Sequence, residues 1–248
     1  MLNDAIWLAK KEFKQHWIAV VFTFLFSMII GSMVGIILSG SQAFIIEFND
    51  KSISHYMLDF IIIGVAPGFG AIYMAKPYLS YKAAVEEPYG KRIAVLRSLP
   101  ISISVIALSR TLVMLVILAL NLIALFGTAL AVLIYTDTFS DFMSVGEYVA
   151  FVLLWSGFML ALGGMSPFLE NGLKGRYLFI VPFIYIVLFI IAIFSYYPSV
   201  QKGIIESSID FIQDGGWYIS LLSLVIGIIC FYAWHQLLKR RLTNRDYV

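Results

Sequence analysis

Catalysis or metal binding needs ionisable or nucleophilic side chains gathered at a workable spacing, and this chain offers few. Glu86 and Glu87, followed by Lys91 and Arg92, are paired carboxylates with nearby cations, the groups that activate water. For intramembrane proteolysis the pattern would be Glu-Glu-x-x-x-Arg. Here the arginine is one place late, and no histidine sits deep in an apolar run to act with it. A nucleophilic Ser156 fails as well, because Gly-x-Ser-Gly would need a glycine where Leu154 stands. No Gly-x-x-x-x-Gly-Lys-Ser/Thr segment exists to cradle the phosphates of ATP. His16, His55 and His235 are too scattered for a metal site. Cys230, the single cysteine, reads as a small buried apolar residue. The expectation is a chain that is no enzyme and holds no cofactor of its own.

The elements that must position these groups are membrane helices. The 248 residues are 61% hydrophobic and 13% charged, with a mean hydropathy of +0.91, against about 45–50% and about 25% for soluble domains. At about 20 residues per crossing, six or seven spans fill the chain and leave no room for a soluble catalytic domain. The apolar runs predict an all-α polytopic membrane protein, one transmembrane domain over 1–248, with six spans at about 18–38, 60–79, 111–134, 148–168, 177–197 and 217–238. Lys76 is the one charge within them, near enough to an end to snorkel. All of the 17 Lys and Arg residues except Lys51 and Lys202 fall on one side of this topology. That bias places both termini in the cytoplasm of a multi-pass cell-membrane protein. Acids such as Glu47, Asp50, Asp59, Asp141, Glu147, Glu206 and Asp210 fall outside. A net charge of +2 gives no reason to expect nucleic acid as a partner.

Finer patterns suggest how the spans meet. In residues 1–17, Leu2, Ile6, Ala9, Phe13 and Trp17 recur at helical spacing while Lys10, Lys11 and Lys14 fall elsewhere, the pattern of an interfacial amphipathic helix lying on membrane lipid. Ser27, Gly31, Gly35 and Ser39 form a ridge of small side chains, a packing seam within the bundle or between subunits. Gly64, Pro67, Gly68 and Gly70 interrupt the second span and predict a kink or hinge there. Pro182 reads the same way in the fifth, and Gly163, Gly164 and Pro167 loosen the end of the fourth. Asn121, at the middle of the third span, suits an interhelical hydrogen bond or a substrate path. The spans contain no Asp, Glu, Arg or His at mid-depth, where ion-coupled carriers place them, so energy for uphill transport would enter from elsewhere. In the stretch 199–216, Ile205, Ile209 and Ile212 share one helical face.

The longest basic-side connection, about 80–105, is the most informative. Ile93, Leu96 and Pro100 share a face with Leu99 beside them, and Lys91, Arg92, Arg97 and Ser98 supply polar contacts. A short amphipathic helix of this kind can insert into a groove on another protein. Glu86 or Glu87, Gly90, Leu96, Leu99, Pro100 and, entering the third span, Arg110 match a glutamate, a glycine, Leu-x-x-Leu-Pro-Ile-Ser and a basic residue. In this the chain resembles the membrane subunit of ABC-2 type ABC transporters. Pro88-Tyr89 departs from that pattern, where members carry residues better suited to continuing a helix. The resemblance implies a permease subunit of a bacterial ATP-dependent exporter. Two such subunits, a second copy or a homologue, would form the path, and separate cytoplasmic ATPase subunits would carry ATP and Mg. Its ATPase-coupling interface would be Glu86, Glu87, Gly90, Lys91, Arg92, Leu96, Leu99 and Pro100. The aromatic-rich spans suit a peptide antibiotic or another amphiphile as cargo. The alternative is a carrier or channel acting without ATP.

Overall fold

The computed structural model describes residues 1–40 and 56–245. Glu47, Asp50, Lys51 and His55 lie outside the described residues, as does the Asp141 side chain. The described chain is helical, with no residue in a strand. In order the helices are α1 (Leu2–Gln15), α2 (Trp17–Leu38), α3 (Tyr56–Gly68), α4 (Lys76–Leu79), α5 (Tyr81–Val85), α6 (Pro88–Arg97) and α7 (Ile103–Tyr135). They continue as α8 (Phe139–Phe142), α9 (Val145–Gly163), α10 (Met165–Gly172), α11 (Tyr177–Val200), α12 (Ile204–Gln213) and α13 (Tyr218–Asn244). Five stretches among the described residues are long and apolar enough to cross a membrane: α2, α7, Val145–Gly172, α11 and α13.

The second predicted span differs from expectation. Instead of one helix over 60–79, the chain forms α3, which loosens into a π-turn at Phe60–Gly64 and a 3-10 turn at Ala66–Gly68, and then runs irregularly to α4. Pro67 has no N–H to donate. Carbonyls freed by the break must find donors inside the protein, since lipid supplies none. They do: Tyr185 Oη donates to Ile63 O at 2.7 Å, Ser166 Oγ to Pro67 O at 3.2 Å and Asn121 Nδ2 to Phe69 O at 2.9 Å. Gly70 lies so close to Gly163 that a Cβ would collide with the Gly163 carbonyl.

The ridge on α2 is a seam within the chain. Gly31 and Gly35 leave no space for a Cβ against the backbone of Leu125 and Ala129 on α7. Ser27 donates to Asn121 Oδ1 at 3.0 Å and lies 2.5 Å from Tyr73 Oη, while Ser39 Oγ turns back on Ile36 O. Gly157 of α9 and Gly227 of α13 make a second close crossing, with Ser223 against Gly157. Between these pairs lies the main core, around Val34, Ile62, Phe69, Leu125, Phe151 and Met159.

Helix ends follow local chemistry. Ser144 and Glu147 form a reciprocal capping box at the start of α9. At Gly163-Gly164 that helix gives way to α10. α11 runs unbroken through Pro182 and Pro198 and buries only Leu178, Phe189 and Ile193. α12 seats Ile205, Ile209 and Ile212 on the core, and the buried Asp59 carboxylate accepts its first N–H groups, from Ile204 and Ile205, both at 2.8 Å.

Candidate functional site: a charged joint at the basic end

Helix α6 begins at Pro88 for a steric reason. A residue before proline avoids the right-handed helical region, and Glu87 takes a left-handed conformation, φ 52°, which breaks the chain between α5 and α6. Pro88 then occupies the first turn, where a missing N–H costs nothing. The Pro88-Tyr89 departure thus sets where the helix starts.

One side of α6 is fixed to the bundle. Ile93 is fully buried against Ile106, Ala107, Leu238 and Leu242, worth about 2–3 kcal/mol by area. Gly90 is buried as well, and Leu96 is half-buried at the edge of the same cluster. Glu87 Oε2 accepts from Arg245 Nη2 at 2.9 Å, Arg245 Nη1 donates to Leu173 O at 2.6 Å, and Arg97 Nη1 donates to Arg245 O at 2.7 Å. The other side is open: Glu86, Lys91, Val95, Leu99 and Pro100 are exposed.

Arg92 leads into a buried charge cluster. Its Nη1 lies 3.1 Å from Glu12 Oε1 and 3.4 Å from His16 Nε2. Arg110, near the start of α7 and 3% exposed, forms an ion pair with the same Glu12 oxygen. Arg110 Nε and Nη2 and Glu12 Oε2 have no hydrogen-bond partner among the described residues. A cavity of about 20 Å³ lies among Glu12, His16, Tyr89, Arg110 and Glu170. Across it, Glu170 of α10 accepts from Tyr78 Oη at 2.5 Å. Glu12 thus joins α1 to Arg92 of α6 and Arg110 of α7, and Glu170 of α10 faces them from the cavity wall. Burial holds the Tyr89 hydroxyl well above its usual range, and the Glu170 charge adds to this. Burial lowers His16, and the Arg92 guanidinium lowers it further. Burial also lowers Arg92.

The sequence-predicted residues thus divide. Glu87, Gly90, Arg92 and Leu96 face the bundle in whole or part, while Glu86, Lys91, Leu99 and Pro100 face outward. Asn121 is 1% exposed and reaches between Ser27 and the Phe69 carbonyl, a tie to the broken segment at 60–79. Pro67 is buried, and Gly68 has open space where a Cβ would stand. The seated stripe of α1 is Ala5, Leu8 and Glu12, with Ala9 and Phe13 half-buried; Leu2, Ile6 and Trp17 of the predicted stripe point outward. Sequence reasoning passed over Glu12 and Glu170. The available signal was a lone acid among three lysines on an amphipathic helix, three and four residues from apolar neighbours.

No cluster of three or more His, Cys, Asp or Glu side chains able to hold a metal is found among the described residues. Comparison of the chain with family models, curated proteins and solved structures finds no match.

Proposed function

We propose that this chain is the membrane subunit of an ABC-2 type, ATP-dependent exporter, six-span in topology, forming half of a translocation path and docking a separate ATPase subunit in the cytoplasm. The observation that carries this reading is the two-sidedness of α6. Its inner side is fixed by Ile93, Glu87 and Arg92, while Lys91, Val95 and Leu99 stand out at its surface, Val95 and Leu99 being 64% and 47% exposed. A rigidly seated helix with a free mixed face can transmit a push from a partner. The buried cluster would pass that push to α1, α7 and α10. ATP and Mg would sit on the partner, and a second copy or a homologue would complete the path. A peptide antibiotic or similar amphiphile is the cargo class that the aromatic spans favour.

The test is affinity isolation from gently solubilised host membranes. An ATPase subunit should accompany the wild-type chain and be lost with the double variant Val95→Asp/Leu99→Asp, whose own thermal midpoint should stay unchanged because both positions are exposed. Transport by the purified chain alone in liposomes, with no ATPase present, would establish instead a carrier or channel independent of ATP.

A further inference from the structure

We infer that α5, with the adjoining start of α11, is a binding surface for one anionic phospholipid: the acyl chain lies against Leu79, Tyr81 and Val85, and the phosphate meets Lys82, Lys174 and Arg176. The three apolar residues are 65%, 58% and 49% exposed although they belong to no membrane-length helix. They are also continuous with one. The Tyr81 ring meets the Phe179 ring edge-on at 5.6 Å between centroids. From there the exposed Ile180, Phe183 and Ile184 carry the apolar surface along α11.

The cations are held beside this surface by the backbone. Gly175 has no room for a Cβ because the Ala84 carbonyl of α5 fills the space. Its chain neighbours Lys174 and Arg176 therefore border α5, and both are exposed, as is Lys82. Arg176 extends over the Tyr177 ring, 5.2 Å from its centroid. Among the described residues opposing charge nearby is slight: Glu87 is engaged by Arg245 and Glu170 by Tyr78, which leaves the exposed Glu86 against three cations. Short amphipathic helices with basic residues at the lipid boundary hold anionic headgroups by this combination of tail contact and charge. The occupant is a lipid and not a protein because the apolar strip runs without interruption into a membrane-length helix face. The inference rests on this apolar surface and the three cations beside it, so it stands or falls separately from ATPase docking.

The test is native mass spectrometry of the whole detergent-purified chain titrated with phosphatidylglycerol or phosphatidylcholine. The expected result is tighter binding of phosphatidylglycerol, weakened on the order of 10- to 100-fold by Lys82→Gln/Lys174→Gln/Arg176→Gln. The control Lys91→Gln/Lys239→Gln/Arg240→Gln, which removes equal charge from exposed positions of α6 and α13, should change it less than about threefold. Leu79→Ser/Val85→Ser should also weaken it. Equal losses in the two charge variants, equal binding of the two lipids, or displacement by free glycerol phosphate would each overturn the inference. So would a photo-crosslinker at position 81 that captures a polypeptide instead of lipid in native membranes.

Discussion

The α2–α7 crossing and the joint at the basic end solve the same problem by opposite means. In the crossing, glycines let two apolar helices meet backbone to backbone, with polar ties from Ser27 to Asn121 and from Thr128 Oγ1 to Met28 O. At the joint, buried Arg110 and Glu12 are set among Arg92, His16 and Glu170, with several polar atoms unpartnered. Lipid offers no hydrophobic drive between helices, so close packing must hold the crossing. The joint is held by charges whose worth depends on each partner remaining in place. The first is therefore tolerant of polarity and intolerant of volume, and the second is the reverse.

The contrast can be broken most severely at Arg110. Arg110→Leu strands Glu12 in the interior, and the expected loss is about 3–5 kcal/mol, read as a lowered unfolding midpoint in detergent; a double variant Arg110→Leu/Glu12→Leu should recover much of it. Next, Gly31→Val or Gly157→Val should cost about 1–3 kcal/mol through overpacking. Gly127→Ala, on α7 with no atom within 4 Å of the added Cβ, should cost nothing, and equal effects at both kinds of glycine would dissolve the seam as an explanation. A smaller effect is expected at Asn121→Ala, about 1 kcal/mol, with faster amide exchange in residues 66–75 as the sign that the broken span has lost its tie.

The smallest effect is that of pH. His16 lies below its ordinary value of 6.5 in the folded chain, so the unfolded chain binds the proton more readily. Its contribution to stability is full above pH 6.5 and is lost as pH falls through the folded value. Amide protection factors in α1, corrected for the intrinsic pH dependence of exchange, should fall between pH 7 and pH 5, and His16→Asn should flatten that dependence.

Much of the helical plan was legible because apolar runs of membrane length have few alternatives, and α2, α7, α11 and α13 follow from them directly. The second span was not legible as it stands. Gly64, Pro67 and Gly68 announced a weakness, but whether the chain kinks or comes apart depended on donors at Tyr185, Ser166 and Asn121, far away in sequence. On α6, which cations face outward depended on Glu12 and Arg245, each more than seventy residues from its partner there. In the sequence Arg110 is only a basic residue entering an apolar run, because its burial and its pairing with Glu12 depend on α1 folding over it.

By itself the sequence determined that the chain is helical and rich enough in apolar runs to sit in a membrane, since composition and run length act locally, one helix at a time. Only the tertiary structure decided that the α2 ridge pairs with α7, that the span at 60–79 breaks into buried loops, and that Glu12, Arg92, Arg110 and Glu170 share one cluster. Those outcomes depend on which backbone groups and charges find partners across the fold, and partner choice is a property of the whole packing.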